Sequence, residues 1–199
     1  KVFVVDNLST GYKKLLHKKA KFFLCDIKNL KKINYFIKKN RISSVIHLAA
    51  NLSVGESQKK PKKYYLNNVL GTKNIVQCCK QNNIKNLIFS STCAVYKDNL
   101  RVVKENSKVN PKSVYGKTKL MGEKLIKNNL KNTKVNYAIL RYFNVAGASN
   151  SGKIGQISKG DQLFKNLSIA STKVKPKINI YGNNYKTKDQ TCIRDYIHV

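Results

Sequence analysis

Short apolar runs alternate with segments of helical spacing along this chain, and the alternation restricts the folds that it can adopt. The strand-like runs are Val2–Val5, Lys21–Leu24, Ser44–Leu48, Leu87–Phe89 and Asn136–Leu140. Helical spacing follows from Ile27 to Ile37, from about Pro61, and from Tyr115 to about Leu130. Strands that alternate with helices in this way predict an α/β fold built on a doubly wound parallel sheet.

Polar residues collect where the predicted strands end, which is where parallel α/β sheets bind their ligands. Asp6 and Asp26 directly follow the first two strands, and Arg141 to Asn144 follow the fifth. The Asp6 carboxylate can bind the diol of an adenine ribose and repel a 2′-phosphate, which favours NAD over NADP. A strand-ending turn residue is an equally good interpretation of Asp6. Asp26 either holds the edge of an adenine or caps the helix that follows it.

Tyr115 and Lys119 are four residues apart on a predicted helix, so their side chains share one face. A neighbouring ammonium group favours the phenolate and lowers the pKa of a tyrosine, as a base at neutral pH requires. The spacing alone is weak in a lysine-rich chain, where a surface Tyr and Lys are the plain alternative. Ser90 to Thr92, at the end of an earlier strand, add hydroxyl groups that can bind a sugar or the tyrosine.

His47, Glu56 and Glu123 are three further side chains that could serve as acids or bases. His47 ends a buried strand, so we interpret it as a packed structural residue rather than a catalytic base. Glu56 and Glu123 are interpreted as capping or solvent-exposed groups rather than as a catalytic carboxylate pair.

The formal net charge of the 199-residue chain is +31, which on its own suggests a polyanionic partner. Only four of the 40 basic residues are arginine, however, and the lysines are spread along the chain rather than grouped with aromatic residues. Base-edge and bidentate phosphate recognition favour arginine. We expect solvent-exposed lysine faces and no specific nucleic-acid partner, with weak, nonspecific polyanion binding left open.

The five cysteines are scattered, odd in number and without a C-x-x-C pair. This pattern predicts neither a zinc site nor a disulfide framework and is typical of a cytoplasmic protein in a reducing environment. No apolar run approaches the roughly 20 residues of a membrane span, so no membrane association is expected. The chain opens and closes inside apolar runs, which predicts a fragment of a longer protein.

Eight segments resemble, in order and spacing, the motifs of the extended short-chain dehydrogenase/reductase family, and within it the 4-epimerases of nucleotide sugars. They are Val4–Gly11, Val45–Ala50, Ser53–Ser57, Tyr64–Thr72, Ile88–Tyr96, Asn110–Glu123, Leu140–Ala148 and Arg194–Val199. The resemblance implies a Rossmann-like fold with an incomplete sheet. It implies an NAD-binding domain over residues 1–147 that lacks its first strand–helix unit, and the beginning of a nucleotide-sugar-binding portion over residues 148–199.

The resemblance also implies roles for individual residues, and no metal ligand is expected. The implied catalytic residues are Thr92, Tyr115 and Lys119. The implied NAD-binding residues are Asp6, Asn7, Leu8, Ser9, Thr10, Gly11, Asp26, Ile27, Leu48, Ala49, Ala50, Asn51, Leu52, Asn67 and Phe143, together with the three catalytic residues. The implied substrate-binding residues are Asn144, Gln162, Leu163, Asn179, Ile180, Tyr181 and Arg194, together with Thr92 and Tyr115.

The implied reaction inverts carbon 4 of a UDP-hexose, UDP-glucose or UDP-galactose, through a 4-keto intermediate, in an NAD-dependent homodimer. Alternatives on the same fold are an epimerase of another nucleotide sugar, such as UDP-N-acetylglucosamine, and nucleotide-sugar dehydratases or decarboxylases. Dehydratases and decarboxylases carry an acid after the Ser/Thr, where this chain has Cys93 and Ala94, so epimerisation is favoured. A noncatalytic nucleotide- or RNA-binding module is the remaining alternative.

Some positions depart from the family pattern. The G-x-x-G-x-x-G phosphate loop does not occur, because no glycine precedes Gly11. That loop and the helix after it normally hold the cofactor pyrophosphate, so we expect this chain by itself to bind NAD weakly and to be inactive. Thr92 replaces the serine of many epimerases, and Gln162-Leu163 replaces an Asn or His before an aliphatic residue.

Overall fold

The structure, a computed structural model, describes residues 1–98, 102–157 and 162–199 in two compact units, Lys1–Tyr142 and Phe143–Val199. The strands are β1 (Phe3–Asp6), β2 (Lys21–Leu24), β3 (Ser44–His47), β4 (Asn86–Thr92), β5 (Asn136–Tyr142), β6 (Asn144–Ala146) and β7 (Tyr196–His198). The α-helices are α1 (Leu30–Lys39), α2 (Val54–Lys59), α3 (Pro61–Tyr64), α4 (Gly71–Gln81), α5 (Val114–Leu130) and α6 (Leu163–Ser171). Two 3₁₀ turns (Lys13–Leu15, Cys93–Val95) and a π-helical segment (Tyr65–Leu70) complete the elements.

All hydrogen-bonded pairs among these seven strands are parallel. In the first unit β1 pairs with β2, and β3, β4 and β5 form a three-stranded sheet in that order. The register aligns His47 with Phe89 and Phe89 with Ile139. Parallel neighbours need a crossover connection, and the chain supplies helices α2 to α4 between β3 and β4, and α5 between β4 and β5. The predicted α/β class with parallel strands is confirmed.

One hydrophobic core joins the two sheets of the first unit to their helices. Ile33 of α1, Val76 of α4 and Ile126 of α5 are buried in it with Leu87 and Phe89 of β4. A fully buried aliphatic or aromatic side chain of this size contributes about 1.5–3 kcal/mol. The core therefore fixes the helices against the sheet and positions the strand ends where the predicted site residues lie.

Helix α5 carries two of the predicted catalytic residues, and its start is held by a serine. The Ser113 hydroxyl accepts a hydrogen bond from the Gly116 N–H at 3.0 Å and so caps the helix. Gly116 and Gly122 let the helix lie close to its neighbours, because a Cβ on Gly116 would collide with the Ala94 carbonyl oxygen and one on Gly122 would lie 2.8 Å from Phe89 Cζ. The two glycines let helix α5 pack closely on β4 and on the turn that follows it.

The helical stretch that the sequence predicts from about Pro61 begins there but is not continuous. It consists of α3, the π-helical segment and α4, and it ends at Gln81. π-Helical turns within α-helices are rare and occur frequently at functional sites. The side chain of Asn68 in this segment is buried and forms hydrogen bonds with Asn51 and Thr118.

The second unit contains β6, β7 and α6. Strands β6 and β7 pair in parallel with Asn144 opposite Tyr196. The Phe164 ring of α6 packs edge-on against the Tyr196 ring, with 4.9 Å between the centroids. Within the described ranges of both units, no helix is long and apolar enough to cross a membrane.

Candidate active site

A cleft opens in the first unit where β1, β2 and β3 end. Its lining consists of Val5, Asp6, Asn7, Ser9, Thr10, Cys25, Ile27, Ala49, Ala50, Asn51 and Asn67. All of these except Val5 and Cys25 were predicted as cofactor-binding residues. Val5 precedes Asp6 in β1 and Cys25 directly follows β2. Their positions at strand ends are the sequence feature from which they could have been predicted as lining residues.

Asp6 closes β1 and shapes the turn that borders the cleft. Its Oδ1 accepts a hydrogen bond from the Leu8 N–H at 2.6 Å, and Leu8 has a φ of 56°. A Cβ on Gly11 would lie 3.2 Å from both carboxylate oxygens of Asp6, so a glycine allows the chain to pass this close. A carboxylate that borders an open cleft at the end of a parallel strand can accept hydrogen bonds from both hydroxyls of an adenine-ribose diol. The residues present therefore fit the adenosine half of NAD.

Asp26 links the ends of β1 and β2. Its carboxylate accepts hydrogen bonds from Asn7 Nδ2 at 3.1 Å and from the Lys28 N–H at 2.8 Å. Burial raises the pKa of Asp26, but these hydrogen bonds outweigh the burial and leave the pKa below its usual value. The alternative that Asp26 caps helix α1 is wrong, because the cap is Asn29, whose side chain accepts from the Lys32 N–H at 3.1 Å.

Asn68 connects this cleft to helix α5. Its Oδ1 accepts the Asn51 N–H at 2.8 Å, and its Nδ2 donates to the Asn51 carbonyl at 3.0 Å and to Thr118 Oγ1 at 3.1 Å. Thr118 in turn donates to the Tyr115 carbonyl at 2.8 Å. The π-helical segment therefore holds the loop that lines the cleft and the helix that carries Tyr115 in one hydrogen-bonded network.

Thr92 and Tyr115 lie together at the end of β4. Both are buried, with 8% of Thr92 and 9% of Tyr115 exposed. Burial raises the pKa of Tyr115 above its usual value, whereas a side-chain hydrogen bond with Thr92 lowers it. The lowered pKa that the sequence suggested for Tyr115 therefore requires positive charge that outweighs the burial.

Lys119 lies one turn along α5 from Tyr115 and is 2% exposed. Its Nζ lies 4.8 Å from the centroid of the Phe89 ring, a cation–π distance. Burial lowers the pKa of Lys119 to about 8, and the Glu123 carboxylate acts in the opposite direction. Because Lys119 is buried, the alternative of a surface Tyr and Lys is wrong.

Glu123 is not the capping or solvent-exposed group that the sequence suggested. It is 1% exposed and accepts hydrogen bonds from Arg141 Nε at 2.9 Å, Arg141 Nη2 at 2.7 Å and Ser91 Oγ at 2.5 Å. Arg141 and Glu123 form a two-pronged buried ion pair across β5 and α5. Sequence reasoning missed this pair, and the only available signal was the apolar spacing of α5, which places position 123 on the same face as Lys119.

His47 is packed in the core, in agreement with its structural interpretation. Its Nε2 lies 3.0 Å from Thr72 Oγ1, and its ring centroid lies 5.5 Å from that of Phe89. Burial, with a contribution from the Lys119 charge, lowers the pKa of His47 to about 3. The imidazole is therefore neutral near pH 7 and forms part of a buried hydrogen-bond network.

The remaining predicted residues lie outside these clusters. Leu48 and Leu52 are exposed, at 63% and 61%, and do not line the cleft. The others belong to the second unit. Phe143 and Asn144 begin it, Gln162 and Leu163 start α6, Asn179, Ile180 and Tyr181 are exposed in a nonregular segment, and Arg194 is exposed with its Nη1 bonded to the Ile193 carbonyl. In the part of the chain that the structure describes, no His, Cys, Asp and Glu side chains group to hold a metal ion.

Comparison with known protein families decides the classification. The model of the NAD dependent epimerase/dehydratase family matches residues 1–199, the whole chain. The chain belongs to that family. Membership agrees with a cleft for a dinucleotide and with a buried Tyr and Lys on one helix face of the same unit.

Individual members of the family are similar over the full length of this chain. The UDP-glucose 4-epimerase of Lactobacillus helveticus is 40% identical over 200 residues, which cover 100% of this chain and 61% of the relative. The UDP-glucose 4-epimerase of Halalkalibacterium halodurans is 36% identical over 200 residues, covering 100% of this chain and 60% of the relative. The chain thus spans about three fifths of the length of these relatives.

Solved structures of family members have the same fold. A UDP-glucose 4-epimerase from Brucella ovis in complex with NAD matches with a TM-score of 0.90 and 36% identity over 98% of this chain and 61% of that chain. One from Bifidobacterium longum in complex with NAD+ and UDP matches with a TM-score of 0.88 and 30% identity over 99% of this chain and 62% of that chain. The predicted Rossmann-like doubly wound α/β fold, as an incomplete part of a larger one, is confirmed.

Proposed function

We propose that this chain carries the cofactor cleft and the catalytic residues of an NAD-dependent UDP-hexose 4-epimerase, which interconverts UDP-glucose and UDP-galactose. The observation that carries the proposal is that Thr92, Tyr115 and Lys119 are all buried, with Tyr115 bonded to Thr92 at the end of β4 and Lys119 one helical turn further along α5. A hydroxyl, a phenol and an ammonium group on these neighbouring elements suit proton removal from an alcohol. The relatives named UDP-glucose 4-epimerase support the choice of substrate.

In the proposed reaction Tyr115, as a phenolate, removes the proton of the sugar 4-hydroxyl, and Thr92 holds that hydroxyl by a hydrogen bond. Lys119 stabilises the phenolate by its positive charge. NAD, when bound, would supply the acceptance of a hydride from carbon 4 and its return to the opposite face of the 4-keto sugar. Tyr115 gives the proton back to the sugar oxygen, so that its side chain is unchanged after each turnover.

The cofactor is held, in this proposal, by the residues that line the cleft and the turn beside it. Asp6 would bind the adenine-ribose diol and Asp26 the adenine edge. Asn51, fixed by Asn68, and Asn67 would bind the cofactor nearer to Tyr115. The charge at Asp6 favours NAD over NADP because a 2′-phosphate would be repelled.

The substrate-binding part of the proposal concerns the second unit. We assign residues 1–147 to NAD binding and residues 148–199 to the beginning of the nucleotide-sugar-binding portion. Substrate contacts are proposed for Asn144, Gln162, Leu163, Asn179, Ile180, Tyr181 and Arg194, and a cofactor contact for Phe143. A guanidinium group at Arg194 matches a diphosphate. A homodimer and a cytoplasmic location remain predictions.

The residues after Thr92 favour epimerisation over elimination or decarboxylation. Dehydration needs an acid beside the reacting carbon, and Cys93 and Ala94, which form the turn after β4, carry no carboxyl group. A nucleotide-sugar dehydratase is therefore the less favoured candidate.

The test measures conversion of UDP-galactose to UDP-glucose by the complete gene product that contains this chain. Wild-type protein is expected to be active, and Tyr115→Phe is expected to lower kcat roughly 10²–10⁴-fold with NAD still bound, because the general base is lost. Tyr35→Phe is the matched control, since Tyr35 is 62% exposed on α1. Near-normal turnover by Tyr115→Phe would falsify the assignment. Salt-sensitive RNA binding without sugar turnover would support the RNA-binding alternative instead.

A further inference from the structure

The largely buried ion pair between Glu123 and Arg141 adjoins the proposed catalytic residues in helix position and strand register, since Arg141 lies opposite Ser91. Glu123 follows Lys119 by one helical turn, and Ser91, which donates to the Glu123 carboxylate, precedes Thr92 in β4. The carboxylate accepts three hydrogen bonds, two from the Arg141 guanidinium and one from the Ser91 hydroxyl. One side chain therefore joins the strand that ends in Thr92, the helix that carries Tyr115 and Lys119, and strand β5.

Arg141 is itself fixed from two further sides. Its guanidinium carbon lies 4.8 Å from the centroid of the Tyr96 ring, and its Nη1 donates to the Glu105 carbonyl at 3.1 Å. Its side chain is 15% exposed and that of Glu123 only 1% exposed. The carboxylate is thus held rigidly, which a group must be if it is to position its neighbours.

Stability alone is a poor explanation for a buried pair of this kind. Removing two charges from water costs several kcal/mol per ion, and replacing such a pair by packed apolar residues is often neutral or stabilising. The pair in this chain contacts a strand and a helix that both deliver catalytic side chains. Its position therefore points to a role in the site.

The charged and titratable groups around Lys119 come from three elements. Glu123 and Tyr115 share α5 with it, His47 faces it from β3, and Arg141 of β5 approaches only through Glu123. Cys93 faces Tyr115 from the turn after β4. His47 is neutral near pH 7, since burial lowers its pKa to about 3. Of these groups, Glu123 supplies the negative charge that offsets the burial of the Lys119 ammonium.

We infer that Glu123 is a positioning residue, which fixes Thr92 against the catalytic helix through Ser91 and holds a negative charge next to the Lys119 ammonium. The inference rests on the proposed function for Tyr115 and Lys119, but not on the identity of the sugar. Loss of the carboxylate removes a negative charge from a buried cluster, which lowers the pKa of both Lys119 and Tyr115 because their more positive forms lose a stabilising partner. The pH dependence of the site should therefore move to lower pH.

The test titrates the complete gene product and compares wild-type protein with Glu123→Gln. The ultraviolet absorbance of tyrosinate, taken as the difference between each protein and its own Tyr115→Phe version, reports the ionisation of Tyr115 without turnover. The alkaline limb of kcat for UDP-galactose reports the loss of the Lys119 proton. Both midpoints are expected to fall by about one pH unit, while KM changes little. Tyr115 and Lys119 titrate as a coupled pair, so the two midpoints are compared as properties of the pair.

Three further variants separate this role from a purely structural one. Asp98→Asn removes the acid of an exposed ion pair with Lys112 and should leave both midpoints unchanged. Glu123→Asp keeps the charge and should restore the midpoints toward the wild-type values. Glu123→Gln/Arg141→Gln removes both charges of the pair and gives a folded protein for titration if Glu123→Gln alone does not fold. In that double variant the midpoints should remain lowered, but by less than in Glu123→Gln, because the lost Arg141 charge lies beyond the carboxylate and acts in the opposite direction.

The outcomes are distinguishable. Unchanged midpoints in Glu123→Gln, or in the double variant where the single one does not fold, overturn the inference and leave Glu123 a structural residue. A wild-type protein that converts no UDP-galactose contradicts the proposed function, whereas the tyrosinate titration still decides the inference about Glu123.

Discussion

The ring of Phe89 is in contact with several buried residues of the candidate site. Its ring lies 4.8 Å from Lys119 Nζ and 5.5 Å, between centroids, from the ring of His47. Gly122 of α5 lies directly above the same ring, where a Cβ would approach Cζ to 2.8 Å. The absence of a side chain at position 122 therefore allows helix α5 to bring Lys119 over the aromatic face.

We expect Gly122→Ala to destabilise the protein although alanine is the better helix former. Overpacking a buried contact costs about 1–3 kcal/mol, which exceeds the gain in helix propensity of about 1 kcal/mol. Phe89, which is 1% exposed, has no room to yield. Urea unfolding of the complete gene product measures the change in the free energy of unfolding.

Gly55→Ala is the matched control for this substitution. Gly55 lies in α2, and a Cβ there would meet nothing within 4 Å. Its free energy of unfolding should stay equal or rise by up to about 1 kcal/mol. A Gly122→Ala protein as stable as Gly55→Ala would show that the ring of Phe89 moves freely, contrary to the packing described above.

Single-sequence reasoning reaches some of these residues and not others, for a physical reason. Tyr115 and Lys119 are four apart on one helix, so local spacing is enough to place them on one face. The Glu123–Arg141 pair depends on the register of β5 against β4 and on how closely α5 packs on the sheet. Neither is a local property, and Glu123 therefore looked like any other charged residue on a lysine-rich helix.

At the scale of elements, the π-helical segment Tyr65–Leu70 connects the cleft at the ends of β1, β2 and β3 to helix α5. Asn68 provides the connection, since its side chain bonds both backbone groups of Asn51 and the hydroxyl of Thr118. Thr72, one turn later, donates to the Asn68 carbonyl and bonds His47. Asn68 and Thr72, four residues apart on one helix face, thus bond the loop that lines the cleft, helix α5 and the end of β3.

Replacement of Asn68 by alanine should weaken both the fold and the cleft. The Asn51 N–H and carbonyl would lose their partners, and each unsatisfied buried group costs about 1–3 kcal/mol. We expect a loss of about 2–4 kcal/mol in the free energy of unfolding and weaker NAD binding, because Asn51 lines the cleft. Urea unfolding and calorimetric titration with NAD measure the two effects in the complete gene product.

Asn129→Ala serves as the control for Asn68→Ala. The Asn129 side chain is exposed and bonds only the Leu125 carbonyl of its own helix, at 2.8 Å, in the interactions described. Its removal should change stability by no more than about 0.5 kcal/mol. If Asn68→Ala changed neither the free energy of unfolding nor NAD binding more than this control does, the hydrogen bonds of Asn68 would contribute nothing to stability or to the cleft.

Strand positions were the most predictable elements and the π-helical segment the least. The predicted run Lys21–Leu24 agrees with β2 at both ends, and the run from Asn136 extends two residues further, to Tyr142. Apolar and β-branched runs carry a local signal for strands. Residues 65–70 contain no Pro or Gly that would break a helix, and tertiary hydrogen bonds from Asn68 are what stabilise the wider turn. The sequence therefore predicted a single long helix.

At the scale of the whole molecule, charge is the dominant feature. The chain has 40 basic and nine acidic residues, and its net charge of +31 makes like charges repel one another in the folded state. Glu123, the one buried acid among the residues that the structure describes, is committed to an internal partner, Arg141. Most lysines therefore contribute repulsion without a compensating ion pair, and folding proceeds against it.

Salt should consequently stabilise this protein. Repulsion between exposed charges is screened beyond the Debye length, which shortens from about 30 Å at 0.01 M to about 3 Å at 1 M ionic strength. The unfolded chain spreads its charges further apart, so screening helps the folded state more. We expect the melting temperature of the complete gene product to rise by several degrees as NaCl increases over that range. An uncharged sugar at matched osmolality serves as the control, since it raises stability by exclusion from the surface without screening. A melting temperature that stays constant in NaCl, or that rises equally in the sugar, would mean that the lysines are already spaced widely enough for their repulsion to cost nothing.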